Sequence, residues 1–401
     1  MKITNVQSVL VTARWVDDPS FPKSLHACAL IRVTTDAGID GWGEATLGYF
    51  APETVESIVN YFKPVIVGRD PLDIAALEAA LLSDGMWWAR SGAGRSVISG
   101  IEMALWDLKG KALNVPVYQL LGGLARERVP VYASGGPSMW PIEQNVRKVE
   151  FYRTLGHTTA KLSTGLYEWN TAETAGGQRR LKHVDLPHAE RVDKLVKALE
   201  SVRSKLGAEM DLAVDGHQGG VPHPISVVDA VAFATALEPF RLRFYEEPLS
   251  YRDLEGYAEL ARRTQTPIAG GESLCGVDGF HPLLKSGVHV VQPDVGFVGG
   301  VLETQRLIHH AAGYRATTAL HTGASIGPCF AASWHLAAAC GDVSWLEMVE
   351  APRSVRQKFL ADSCQVEGGT LPVPSHPGLG LRITPELLRE LAFVPGSGER
   401  T

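Results

Sequence analysis

Residues 243–272 read RFYEEPLSYRDLEGYAELARRTQTPIAGGE. A short apolar run ends in an acid, Glu246. A stretch of helical length with mixed polar and apolar residues follows, and a second short run ends in another acid, Glu272. Strand, helix, strand in about 26 residues, with an ionisable group where each strand stops, is the repeat of a parallel βα unit. The same rhythm continues in both directions. From about Val129 the strand candidates are VPVYAS, HTTAKLS, DLAVDG, RFYEEP, PIAGGE, VVQPD, TTALH and SWLEM. Several are apolar through their length, as strands buried on both faces should be. Eight strands alternating with helices is the count of a TIM-type (β/α) barrel.

Upstream the pattern differs. Ile3–Ala13 and Ala27–Thr35 are rich in β-branched residues, and Ala37-Gly38 marks a turn before Gly41-Trp42-Gly43-Glu44. Helical patterns follow, one opened by Pro52-Glu53-Thr54-Val55 and a long one over Ser96–Ala112. Strands followed by a block of helices read as an α+β unit. The expected organisation is an α/β chain. An α+β capping domain spans 1–125, a modified TIM barrel spans 126–350, and a segment over 351–401 returns to the capping domain.

The strand candidates after the first end in Lys161, Asp215, Glu246, Glu272, Asp294, His321 and Glu347. From Glu246 onward the intervals are 26, 22, 27 and 26 residues. The C-terminal ends of barrel strands face the active site, so the barrel gathers these groups at one mouth. Taken singly, each carboxylate reads as a helix cap or an arginine partner. Three on successive strands, Asp215, Glu246 and Glu272, cannot share a small space ionised without a cation. Their all-oxygen donor set selects a hard ion such as Mg²⁺.

Asp294 and His321 end neighbouring strands. A carboxylate accepting from one imidazole nitrogen fixes the tautomer and frees the other nitrogen as a base. Lys161 would stabilise negative charge developing beside the metal. His217 lies two residues beyond Asp215, and strand alternation would point both the same way. The alternative for His217 is a residue that merely orients Asp215. His217 and His321 belong to the third and seventh strands, on opposite sides of a ring of eight. His157, His309, His310 and His335 lack such a setting and read as structural or solvated.

The net charge of −6 and pI near 6.1 argue against nucleic acid or an anionic membrane as partner. They leave room for an anionic small molecule. No run of apolar residues is long enough to span a bilayer, and the first residues lack the apolar core of a signal peptide. The five cysteines, Cys28, Cys275, Cys329, Cys340 and Cys364, form no C-x-x-C pair. They read as inert thiols in a reducing compartment, and the cytoplasm is the expected location.

In these motifs the chain resembles the mandelate racemase subgroup of the enolase superfamily. The resemblance runs from DAGIDGWGE and IEMALWDLKGKALNVPVYQLLGG through AKL, AVDGH, FYEEP, AGGES, QPDVGFVGG, ALHTGASIGP and WLEM to PGLGLRI. It implies Mg²⁺ held by Asp215, Glu246 and Glu272. It implies a His321–Asp294 dyad as base, with Lys161 and Glu347 as electrostatic helpers around a substrate carboxylate. A homo-oligomer is expected.

Two departures narrow the reading. Many subgroup members carry K-x-K on the second strand, with the second lysine a base. Here Lys161-Leu162-Ser163 stands there, and Ser163 cannot serve. His217 replaces an asparagine often found after the metal aspartate. Both features look like the galactonate and mannonate dehydratases. The implied reaction is dehydration of an acid sugar through an enediolate to a 2-keto-3-deoxy acid, with His321 taking the C2 proton and His217 protonating the leaving hydroxyl. An epimerase or cycloisomerase on the same scaffold, a non-catalytic binding barrel and a histidine-rich zinc hydrolase are the alternatives. Specificity is expected from Arg14–Lys23 and Ser83–Arg95. The long Thr164–Asp185 insertion, which departs from the dehydratase pattern, is a candidate lid.

Overall fold

The computed structural model describes the chain except residues 20–23, 136–141, 164–166, 170–180, 184–186, 222–223, 324 and 399–401. Strands β1 (Ile3–Trp15), β2 (Ser24–Thr35) and β3 (Asp40–Ala45) form an antiparallel sheet in the order β1-β2-β3. The helix Gly92–Leu113 packs on it and is buried almost continuously from Gly94 to Leu108. The two glycines of the GWGE motif permit that approach. A Cβ at Gly41 would lie 2.0 Å from the Ala104 carbonyl oxygen, and one at Gly43 would lie 2.0 Å from that of Gly100. No side chain fits between this strand and this helix.

The parallel strands are β4 (Arg128–Ser134), β5 (Thr159–Ser163), β8 (Asp211–Asp215), β9 (Tyr245–Glu246), β10 (Ile268–Gly270), β11 (Val290–Val291), β12 (Thr317–Leu320) and β13 (Val343–Val349). They lie side by side in chain order, and β13 pairs back with β4 from Leu346↔Val131 to Val349↔Ser134. The ring is therefore a closed (β/α) barrel of eight strands. Its interior is a packed core of Tyr132, Ala213, Phe244, Ala269, Val290 and Ala319, not a pore. In the insertion, β6 (Tyr167–Trp169) and β7 (Leu181–His183) pair antiparallel, Tyr167 opposite His183. Most of the proposed lid, 164–185, lies outside the described residues, as do residues 20–23 of the 14–23 stretch.

The tail does more than return to the first sheet. Strand β14 (Thr370–Pro372) first pairs antiparallel with the start of β4. The chain then runs under the long helix, where Leu379 N–H donates to Asp107 Oδ1 at 2.9 Å. It ends against β1, with the Thr12 N–H donating to the Leu391 carbonyl at 2.9 Å. Alternation could not reveal this path, because its contacts are mostly single hydrogen bonds to distant backbone.

All five cysteines are free thiols. Among the described residues no helix is long and apolar enough to cross a membrane.

Candidate active site

Asp215 and Glu246 are the last residues of adjacent parallel strands and stand in register. Glu272 follows β10 by two residues. One oxygen from each of the three lies within 4.8 Å of the others. Such an oxygen cage could hold a metal ion, and its donor chemistry fits a hard divalent cation. Burial raises the Glu246 carboxyl well above its ordinary range, and the charges of Asp215, Glu272 and Glu347 push the same way. A cation in the cage would relieve that repulsion.

Lys161 is the group already supplying positive charge. Its Nζ lies 2.8 and 2.7 Å from the two Glu246 oxygens. It is also 3.2 Å from Asp215 Oδ2 and 3.0 Å from Glu347 Oε1. Burial alone would weaken the ammonium, but Glu246, Glu347, Tyr132 and Asp215 around it raise its pKa well above the lysine value. The sequence places Lys161 at a strand end. It instead sits inside β5, which continues to Ser163. The long side chain carries the charge up to the mouth from there, and Glu347 likewise lies within β13. Strands β10 and β11 stop early, so Glu272 and Asp294 stand on the loops just past them.

On the far wall, Asp294 Oδ2 lies 2.9 Å from His321 Nδ1. Its other oxygen accepts from Thr46 Oγ1 at 2.7 Å and from the Gly296 N–H at 2.9 Å. With Oδ1 so occupied, Oδ2 is left for the imidazole. His321 Nε2 then points at the cage, 3.3 Å from Glu272 Oε2 and 3.7 Å from Glu347 Oε2. Burial would lower the imidazole pKa, but Glu272, Glu347 and Asp294 raise it well above the ordinary value. Burial would also raise Glu347, yet Lys161, His321 and the Thr322 N–H hold its carboxyl down to about 2.

His217 lies beside Asp215, but not through strand alternation. Strand β8 ends at Asp215, and His217 takes a left-handed backbone with φ of +50°. Its N–H donates to Asp215 Oδ1 at 2.9 Å, and its Nε2 is 3.2 Å from Asp215 Oδ2. Burial would raise Asp215, but His217 and Lys161 hold it below its ordinary value. Ser163 Oγ lies 3.4 Å from His217 Nδ1, so the residue standing in for a second lysine touches the imidazole instead. The His217 side chain is 40% exposed, open to a ligand over the mouth.

Two residues in this constellation escape a reading of strand-end charges. Gln292 donates from Nε2 to Glu246 Oε2 at 2.7 Å and so fixes a cage oxygen from the next-but-one strand. Thr46 immediately follows the last strand of the first sheet, 248 positions from Asp294. The QPD triplet around Gln292 is the only trace of the first, and nothing in the sequence marks the second. The first sheet also grips the barrel through Glu44, whose carboxylate accepts from the N–H groups of Ile326, Gly327 and Cys329 at 3.0–3.2 Å.

Residues 146–387 match the family described as Enolase C-terminal domain-like. Residues 22–122 match the Mandelate racemase / muconate lactonizing enzyme N-terminal domain. The chain belongs to the enolase superfamily, in its mandelate racemase / muconate lactonizing enzyme family. It is 32% identical to D-galactonate dehydratase of Xanthomonas axonopodis pv. citri over 406 aligned residues, 97% of this chain and 94% of that protein. Among solved structures it is similar to the 3,6-anhydro-D-galactonate cycloisomerase from Zobellia galactanivorans. The TM-score is 0.80 and the identity 27%, over 98% of this chain and 99% of that one. A mandelate racemase/muconate lactonizing enzyme from Jannaschia sp. CCS1 aligns with a TM-score of 0.83 at 26% identity, over 99% of both chains.

Proposed function

We propose that this family member is a Mg²⁺-dependent hydro-lyase that dehydrates an acid sugar, an aldonate or aldarate, to a 2-keto-3-deoxy acid. One observation carries the reading. A carboxylate-oriented imidazole and a second imidazole flank the acidic cage from opposite walls of the barrel, His321 beside Glu272 and His217 beside Asp215. Asp215, Glu246 and Glu272 would hold the ion, which when bound supplies Lewis-acid stabilisation of charge on the substrate carboxylate.

The residues of the chain do the proton work. Asp294 holds the proton on His321 Nδ1, and neutralising the Glu272 charge that raises the imidazole would leave Nε2 as the basic nitrogen facing the substrate. His321 takes the C2 proton, and Lys161 stabilises the negative charge that develops on the carboxylate oxygens. Glu347 anchors Lys161 so that the ammonium stays above the cage. His217 then donates a proton as the C3–O bond breaks, releasing water. The C2–C3 double bond forms, and the resulting enol ketonises. The D-galactonate dehydratase relative supports this reaction class. The five free thiols suit a reducing compartment such as the cytoplasm.

Deuterium exchange separates the two histidines. The His217→Asn variant is expected to exchange the C2 proton with solvent while forming little keto acid, and His321→Asn to do neither. Wild-type product formation by His217→Asn would reduce that residue to a support for Asp215. Exchange surviving in His321→Asn would remove the assigned base. The cycloisomerase neighbour favours a second reading, ring opening or closure without loss of water. NMR of the product distinguishes the two by the missing C3 oxygen.

A further inference from the structure

We propose that His281 and His310 form a second metal site on the outer wall of the barrel, one that takes Zn²⁺ or another imidazole-preferring divalent ion. His281 lies on the helix Gly276–Lys285, and His310 near the end of the helix Val301–Gly313. Nδ1 of His281 is 3.2 Å from Nε2 of His310. Zinc binds imidazole nitrogen at about 2.0–2.1 Å, so one ion touching both nitrogens at this spacing subtends an angle of about 100°. That is close to the tetrahedral angle, and the nitrogens need not move apart or together. The hydroxyl of Tyr314 lies 3.4 Å from the same His281 nitrogen and borders the remaining coordination positions.

The three rings brace one another. The His281 and His310 centroids are 5.5 Å apart, and Tyr314 stands edge-on to His281 at 5.8 Å and tilted to His310 at 5.3 Å. Side chains so packed lose less freedom on binding an ion. Both histidines are half-buried, which leaves room for water to complete the coordination sphere. Without an ion, one nitrogen must donate to the other across the 3.2 Å gap. With one, both lone pairs point at the cation.

The donor set separates this site from the cage. Imidazole nitrogens suit Zn²⁺, Cu²⁺ and Ni²⁺, whereas Mg²⁺ prefers oxygens. Mg²⁺ therefore competes poorly for the imidazole pair, and Zn²⁺ uptake there can be read in its presence. Positive charge nearby is limited. Arg306, one turn before His310, is paired with Glu78 and Glu303, each at 3.0 Å. Lys285, one turn after His281 on the same helix, would oppose the ion. An ion here would clip the helix that follows Glu272 to the helix that precedes His321.

Calorimetric titration of Zn²⁺ into the full-length protein in excess Mg²⁺ tests this. The wild type is expected to take up one Zn²⁺ that His281→Ala and His310→Ala each weaken at least tenfold, while Mg²⁺-supported turnover persists in both. Anomalous scattering from Zn²⁺-soaked wild-type crystals should place a peak between the two nitrogens, a readout that needs no variant to fold. Equal Zn²⁺ uptake by the wild type and the double variant, or no peak at His281 and His310, overturns the proposal.

Discussion

At the C-terminal ends of the barrel strands, Lys161, Asp215, Glu246 and Glu347 have side chains at most 5% exposed and crowd one another. At the N-terminal ends, Asp211 and Arg243 pair at 40% and 49% exposure. That lower mouth also holds a cavity of about 1000 Å³ bordered by Arg203, Arg241, His289 and Trp345. An opening of that volume could admit a small ligand. The chemistry points the other way. Below, solvent screens the Asp211–Arg243 pair, so little depends on either member. Above, burial raises the Glu246 carboxyl and deepens every mutual interaction, so the groups act as one unit. Both mouths carry acids and cations, and desolvation couples them at one mouth only.

The sharpest way to break this contrast is to neutralise one acid at each end. Glu246→Gln should lose detectable turnover at any Mg²⁺ concentration, because it removes a cage oxygen and the main partner of Lys161. Asp211→Asn should leave turnover unchanged and cost about 0–1 kcal/mol in denaturant unfolding, as for an exposed ion pair. Equal loss from both would mean that burial does not distinguish the mouths.

A second test isolates burial from charge pairing. His335 is fully buried and accepts from the Tyr118 N–H through Nδ1 at 3.2 Å. Burial pushes its imidazole down to about 3. The unfolded chain protonates this histidine below about pH 6.5, while the folded one stays neutral until about pH 3. Its contribution is therefore complete above pH 6.5 and is lost as the pH falls, by up to about 1.4 kcal/mol per pH unit. Urea unfolding of His335→Gln across that range should show a shallower acid limb than the wild type. An unchanged slope would assign the acid sensitivity to other groups.

The smallest expected effect concerns the grip of the first sheet on the upper mouth. Thr46→Val removes one of the three hydrogen bonds that hold Asp294 Oδ1, the others coming from the Gly296 N–H and the Cys329 thiol. A hydrogen bond to a charged group is worth about 1.5–3 kcal/mol, and the surviving Gly296 N–H should limit the loss. The expected result is a fall in kcat of about tenfold or less with KM little changed. A change in KM alone would instead assign Thr46 to substrate binding.

Much of the arrangement was legible in the sequence because two regularities carry it. Short apolar runs recur at βα spacing, and an ionisable residue recurs near the mouth-facing end of each. Asp215, Glu246, Glu272, Asp294 and His321 could be picked out on that basis, and the strands that end in them or lead to them close into one ring. The details that failed were local. Lys161 lies inside its strand because a long side chain can reach the mouth from one pleat lower. His217 faces Asp215 through a left-handed turn that strand periodicity does not encode.

The sequence by itself determined the barrel, the sheet and helices before it, and the acids and histidines available to a site. Periodicity and residue type are properties of short stretches of chain, and buried strands must be apolar wherever they fall. Only the tertiary structure decided that Gln292 holds a cage oxygen and that Thr46 holds the aspartate behind His321. The same holds for the meeting of His281 with His310. These contacts join residues 29 to 248 positions apart, and a single hydrogen bond between distant segments leaves no repeat in either of them.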